Sequence, residues 1–459
     1  MTELVLIAFL AGLVLLGFRR PFIWVLAYLY VDLVMPQKIG YVILPVVPIS
    51  LIFFVLALAG WALMDDKTGT RFTFRQVLIA LLLAWCAYTT MNADFPEAAL
   101  TKWDWVWKTM VFAIFLPLTL RTRLRLETAA LFAVLSIGAI AISGGIKTIF
   151  SGGGGYGTLV SLVDLNSGIY EGSTKSMAAI AIIPLVWWCA RHSSIFPRHW
   201  AVTTFAMALI LACLLIPIGT QTRTGLLCIG VLGLLVMRHA RHRFALGAIA
   251  GVLGLISLPF LPASYTERMG TITTFQADTS ASTRVAVWEW TLDYVKDNPL
   301  GGGFDAYLAN SFTYDTRAEV NTGGVTRIER VEVTDEARAY HSAYFEMLGE
   351  QGWPGFWLWI AIHVIGLWQM ERLQRALRRS DDAEDARLRA LAIALQQGQI
   401  VALVGALFVG IAFQPFMFLI VSLQTGLATI CARRLASVKD ADRKRKLRRQ
   451  RERMQAATA

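Results

Sequence analysis

Residues 200–238 read WAVTTFAMALILACLLIPIGTQTRTGLLCIGVLGLLVMR. Two apolar runs, 200–219 and 224–238, meet at Thr220-Gln221-Thr222-Arg223, a polar segment too short for anything but a tight turn. A helix needs about 20 apolar residues to cross the hydrocarbon of a bilayer, and somewhat shorter ones are tolerated. The stretch therefore predicts a membrane hairpin with an arginine at its tip. Working outward, similar spans recur at 2–18, 21–36, 41–63, 76–92, 104–120, 127–149, 174–190, 244–262, 354–370, 391–412 and 415–432. The 459-residue chain is 56% hydrophobic and 16% charged, with a mean hydropathy of +0.54. A water-soluble globule cannot hide that much apolar surface, whereas a bilayer solvates it. The expected fold is an all-α polytopic membrane protein with about 12–13 transmembrane helices and one large outward loop. The uncertainty of one sits at Arg19-Arg20-Pro21, which divides either two full crossings or a hairpin.

Charge orients the chain, because Lys and Arg accumulate in cytoplasmic connectors. Arg19 and Arg20, Lys67 and Arg71, Arg121 to Arg125, Arg191 and Arg198, Arg238 to Arg243 and the segment 372–389 all fall on one side. The N-terminus is then outward and the C-terminus cytoplasmic. Four regions follow: an N-terminal bundle over 1–262, a large outward loop with amphipathic helices over 263–353, C-terminal helices over 354–432, and a basic tail over 433–459. The net charge of +11 owes much to eleven Lys/Arg between 433 and 453. Beside the last span such a run binds anionic lipid headgroups, and no nucleic-acid partner is expected. Cys86, Cys189, Cys213, Cys228 and Cys431 lie within apolar spans without CxxC spacing and read as packing residues. The first span lacks the basic lead and small-residue cleavage site of a signal peptide, so it reads as retained. The glycine run at 152–155 follows no strand, carries no Lys-Ser/Thr, and reads as plain backbone.

Three places carry chemistry. Arg223, flanked by hydroxyls and by Gly219 and Gly225, is either an interfacial arginine snorkelling to headgroups or a fixed cation awaiting an anion. Within 278–295, Val285, Trp288, Leu292 and Val295 recur at helical spacing, and Ser280, Ser282 or Thr283 can cap the start. Arg284 beside a helix N-terminus suits phosphate; pairing with Asp278 is the other reading. The loop 263–340 holds seven Lys/Arg against twelve Asp/Glu, so an anion would need such a local basic focus. His341 alone among six histidines stands outward at the start of a helix. An ordinary pKa near 6.5 suits proton abstraction at neutral pH, although Tyr344 and Phe345 on the same face leave a packed histidine open. Glu346 and Glu350 either orient it or are solvated. The aromatic run around Trp103, Trp105 and Trp107 reads as an interfacial belt, with Lys102 and Lys108 beside it.

Three markers occur in order along the chain: Thr222-Arg223-Thr224-Gly225; Ser282-Thr283-Arg284 followed by Asn298-Pro-Leu-Gly-Gly-Gly-Phe304; and Tyr340-His341-Ser-Ala-Tyr344-Phe-Glu346-Met-Leu-Gly-Glu350. With them the chain resembles the bacterial O-antigen ligase and polymerase (Wzy-type) superfamily, most strongly from about 150 to 420. The family commonly has Ser-Arg-Gly where this chain has Thr222-Arg223-Thr224. The Arg20-Pro21-Phe22 opening is similar to O-glycosylation ligases associated with exosortase systems. The resemblance implies a GT-C-like membrane glycosyltransferase in the bacterial inner membrane, with its site facing the periplasm. Its donor would be a glycan on undecaprenyl diphosphate, and its acceptor a hydroxyl of a glycolipid, protein or glycan. By that resemblance Arg223 and Arg284 bind the diphosphate, His341 is the catalytic base, and Tyr344, Glu346 and Glu350 support it; no cofactor and no metal are implied. A polymerase using a lipid-linked acceptor is the close alternative. A polysaccharide or lipid transporter is the distant one, and it should show polar residues through several spans and two pseudo-repeated halves.

Overall fold

The structure, a computed structural model, describes residues 2–151, 168–239, 242–245, 247–248, 251–252, 279–322 and 325–458. Helices α1 (Thr2–Arg19), α2 (Phe22–Val34) and the short α3 (Pro36–Ile39) open the chain. They are followed by α4 (Ile49–Met64), α5 (Phe74–Met91), α6 (Pro96–Thr119), α7 (Arg123–Ser151), α8 (Gly172–Arg191), α9 (Trp200–Gly219) and α10 (Arg223–His239). Helix α11 (Thr279–Asp297) leads into strands β1 (Ser311–Thr322) and β2 (Val325–Glu336), and α12 (Ala343–Leu377), α13 (Ala383–Gly405) and α14 (Pro415–Thr458) close the chain. Six of the described helices are long and apolar enough to cross a bilayer by length and composition, and α2 and α4 are shorter apolar helices. The protein is an all-α polytopic membrane protein. Every expected span falls on a helix except 244–262, which lies largely outside the described residues, as the glycine run at 152–155 does entirely.

Local chemistry explains where helices depart from the apolar runs. The span expected over 41–63 becomes helical only at Ile49, because Pro45 and Pro48, close together, each lack an N–H for the helix ladder and crowd the preceding turn. The non-helical residues before it are held by Glu3, whose carboxylate accepts the backbone N–H groups of Ile43 at 2.6 Å and Leu44 at 2.8 Å. Helix α13 starts eight residues before the apolar run and stops at Gly405, leaving an irregular segment 406–414. Helix α12 is two helices in one. Gly352 has φ 59° and ψ −168°, a conformation essentially reserved for glycine.

The middle of the outward loop is not merely loop. Strands β1 and β2 form an antiparallel hairpin with Ser311 opposite Glu336 and Thr322 opposite Val325. Alternating strand formers such as Val331, Val333 and Thr334 carried that signal, but apolar-span reading passes over it.

In the bundle, α8 packs against α7, α9, α10 and α13, and its small residues let those neighbours come close. Buried polar contacts stitch the other helices together. Arg75 of α5 donates to Gln424 of α14 at 3.1 Å, Gln424 to Gln399 of α13 at 2.8 Å, and Gln399 meets His363 of α12 at 3.0 Å. The two ends differ in character. One end gathers the basic connectors into ion pairs, including Arg125 with Asp65 at 2.6 Å, Arg121 with Asp66 at 2.9 Å and Arg434 with Asp385 at 2.5 Å. At the other end meet α11, the hairpin, and the N-terminal ends of α6, α8, α10, α12 and α14. That end holds the candidate site.

Candidate functional site

A glycine clip builds the floor of the site. The turn after α11 runs Asn298-Pro-Leu-Gly301-Gly302-Gly303, with Gly301 at φ 84° and Gly303 at φ 79°. The N–H groups of Gly302 and Gly303 donate to the carbonyls of Gly349 and Glu350 at 3.0 and 2.9 Å, and Trp353 donates to Pro299 at 3.0 Å. The turn thus caps the first half of α12 just where Gly352 breaks it, satisfying carbonyls that the kink orphans. On the other side, the N–H of Ala343 donates to Ala406 at 2.8 Å. The short helix 343–351 is therefore fixed at both ends.

Two acids on that helix, Glu346 and Glu350, point at Lys102 of α6. Lys102 Nζ lies 2.8 Å from Glu346 Oε1, 2.7 Å from Glu350 Oε1 and 3.7 Å from Asp305 Oδ1. The second oxygen of Glu346 accepts the N–H of Ala412 at 2.9 Å, and Glu350 accepts that of Asp305 at 3.0 Å. The ammonium also sits 5.6 Å from the ring centres of both Phe304 and Phe413. Burial alone would lower the Lys102 pKa, but the carboxylates of Glu346, Glu350 and Asp305 outweigh it and hold the amine charged. Burial pushes the Glu350 carboxyl upward against the pull of Lys102. Three carboxyls around one ammonium leave the cluster with acid to spare.

Above this cluster is a cavity of about 240 Å³, lined by Lys102, Glu171, Thr174, Tyr307, Tyr340, His341, Glu346, Glu350, Gly410 and Gln414 among others. His341 stands at its edge with φ 47°, in the left-handed region that histidine enters more readily than branched residues do. Backbone held this way costs about 1–3 kcal/mol and persists where its surroundings impose it. Here they do: Trp288 of α11 donates to the Tyr340 carbonyl at 2.9 Å and stacks on Phe345 with ring centres 5.0 Å apart. Asn310 ties the base of the hairpin to the same strand of chain, bonding both backbone groups of Arg338 at 2.7 and 2.8 Å. The side chain of His341 faces the open cavity, yet enough protein surrounds it to desolvate it. That desolvation, then the charge of Arg284, holds its pKa below the usual 6.5, and Glu171 pulls the other way. A neutral imidazole that can accept a proton results.

Of the residues singled out from sequence, His341, Glu346 and Glu350 meet in one cavity, and Arg284 lies near enough for its charge to act on the imidazole. Arg284 does not stand at a helix start: α11 begins by Thr279, so Arg284 is in the second turn, and Ser280, Ser282 and Thr283 lie within the helix. Arg223 opens α10 and does not line the cavity. Its turn docks on α8 through Thr222, which donates to Ser176 at 2.8 Å, while Ser176 also bonds Thr220 at 2.8 Å. Thr174, half a turn away on α8, does line the cavity, so the same helix carries both. The hydroxyl of Tyr344 is committed to the Leu403 carbonyl at 3.1 Å, away from the cavity. Sequence reading missed Lys102, Asp305 and Glu171. Lys102 was hidden among belt tryptophans. Glu171 had a usable signal, an acid just before Gly-Ser-Thr, and it caps α8 by accepting the N–H groups of Ser173 and Thr174.

Comparison with known families gives two matches. Residues 1–194 match a family of unknown function, DUF5935. Residues 206–360, which carry Arg223, Arg284, the hairpin, His341, Glu346 and Glu350, match the family described as O-Antigen ligase. No curated protein matches the chain. The chain is thus a multi-pass membrane protein whose residues 206–360 are similar to the O-antigen ligase family.

Proposed function

We propose that the protein transfers a glycan from undecaprenyl diphosphate to an acceptor hydroxyl on the periplasmic side of a bacterial inner membrane. The observation that carries this reading is His341, a strained, desolvated and neutral histidine facing a polar cavity within the O-antigen ligase domain. His341 Nε2 or Nδ1 takes the proton from the acceptor hydroxyl as its oxygen attacks the anomeric carbon. The bond to the diphosphate oxygen breaks and its electron pair leaves with the lipid diphosphate. Arg284 and Arg223 bind that departing charge. Fixed cations in a site shielded from water stabilise it more than water does. General-base help contributes about 10²–10⁴-fold. The Lys102 cluster positions the helix that follows His341 rather than touching the reacting atoms.

The test is donor binding and transfer by the full chain in lipid nanodiscs, using lipid-linked glycan extracted from the source cells. Arg223→Ala and Arg284→Ala should weaken donor binding while the helical fold persists. Unchanged donor affinity in both would remove the arginines from the scheme.

A further inference from the structure

A second polar cavity, of about 440 Å³, adjoins the first, and Gly168 and Gln414 line both. That volume falls within the range of small-ligand sites. Apart from Pro415 of α14, its other walls come from the part of the chain that matches a family of unknown function, among them Asp32 from α2, Lys38 from α3, Ser50 from α4, and Asp104, Trp105 and Lys108 from α6. Asp104 is paired with Lys108 at 3.2 Å. Among the described residues Asp32 makes no hydrogen bond and no ion pair, and Lys108, already paired with Asp104, is the cation whose charge reaches it. A carboxylate on a membrane helix is costly unless it faces water or a partner. Asp32 faces this cavity, with the indole of Trp105 in the same wall.

We propose that this chamber is the subsite for the sugar of the acceptor. The inference rests on His341 being the base for its hydroxyl. Carboxylates accept hydroxyl hydrogens in strong, charge-assisted bonds, and a flat aromatic wall suits the C–H face of a pyranose. Position assigns the chamber to acceptor rather than donor. Displacement with inversion brings the nucleophile to the face opposite the leaving group. Arg223 sits on α10, which packs against α8, α9 and α13, and Arg284 sits on α11, which packs against α12. The chamber is walled mainly by the chain from α2 to α6, with Pro415 of α14, and neither arginine lines it.

Two measurements on the full chain in nanodiscs decide the matter. In the first, saturation-transfer NMR is run with the methyl glycosides of glucose, galactose, mannose and N-acetylglucosamine. At least one should bind saturably; Asp32→Asn should weaken it by about tenfold, the worth of one good hydrogen bond to a charge, and Trp105→Ala should weaken it by removing the stacking face. No binding to the wild type, or unchanged binding in both variants, overturns the chamber. In the second, transfer is followed with extracted lipid-linked donor and acceptor-bearing membranes. Asp32→Asn should raise KM for acceptor membranes about tenfold and leave KM for donor alone. A raised donor KM places the donor glycan there instead and overturns the assignment. Glycoside binding without any transfer by the wild type would count against the catalytic reading and leave the chamber standing.

Discussion

At the scale of single residues, two titratable groups sit in unlike surroundings. His341 is desolvated and lies near Arg284, and both disfavour imidazolium. A base with a lowered pKa works once deprotonated, so transfer should fall only as pH drops below that value. The acid limb of kcat/KM is therefore expected below pH 6.5, and Arg284→Gln should move the limb of the residual activity to higher pH. An acid limb above 6.5, or one indifferent to Arg284, would show that another group titrates. Lys102 makes a different prediction. Removing the partner of buried carboxylates typically costs about 3–5 kcal/mol, so Lys102→Met should lower the melting temperature markedly. The double variant with Glu350→Leu should lose less than the two single variants summed. Additive losses would mean that the pair seen at 2.7 Å is not coupled.

At the scale of elements, the clip around Gly352 is the most exposed to test. An added Cβ there would collide with the backbone of Pro299 and Leu300. Gly352→Ala should cost about 1–3 kcal/mol and depress transfer by tilting the helix that bears Glu346 and Glu350. The hairpin is the opposite case. Its strands pair with each other, and Asn310 ties their base to Arg338. Replacing 311–336 with a short Gly-Ser linker should leave the melting temperature of the bundle within a few degrees, read by circular dichroism. A collapse in stability would show that the strands brace the bundle. These elements also mark how far sequence carried. Apolar runs located nearly every helix because a bilayer demands them. They said nothing of β1 and β2, whose alternation is polar, nor of where Pro48 delays α4. His341, Glu346 and Glu350 were legible because they lie close in sequence, His341 just ahead of the short helix that carries both acids. Lys102 was not, because its partners are some 200 and more residues away in sequence, and only folding makes a cluster of them.

At the scale of the molecule, the ends of the bundle are chemically distinct, and the account requires the site end to face outward. All five cysteines are buried, which leaves introduced thiols as clean reporters. In intact cells Ser311→Cys should react with a membrane-impermeant maleimide and Asp66→Cys should not; the reverse pattern would invert the topology. In the proposed reaction His341 serves chemistry and not donor binding. The most direct measurement follows release of undecaprenyl diphosphate and formation of glycosylated product by purified wild type and His341→Ala, with donor affinity measured alongside. The account predicts wild-type donor affinity in the variant with product formation reduced about 10²–10⁴-fold. Product formed at the wild-type rate by His341→Ala would contradict it.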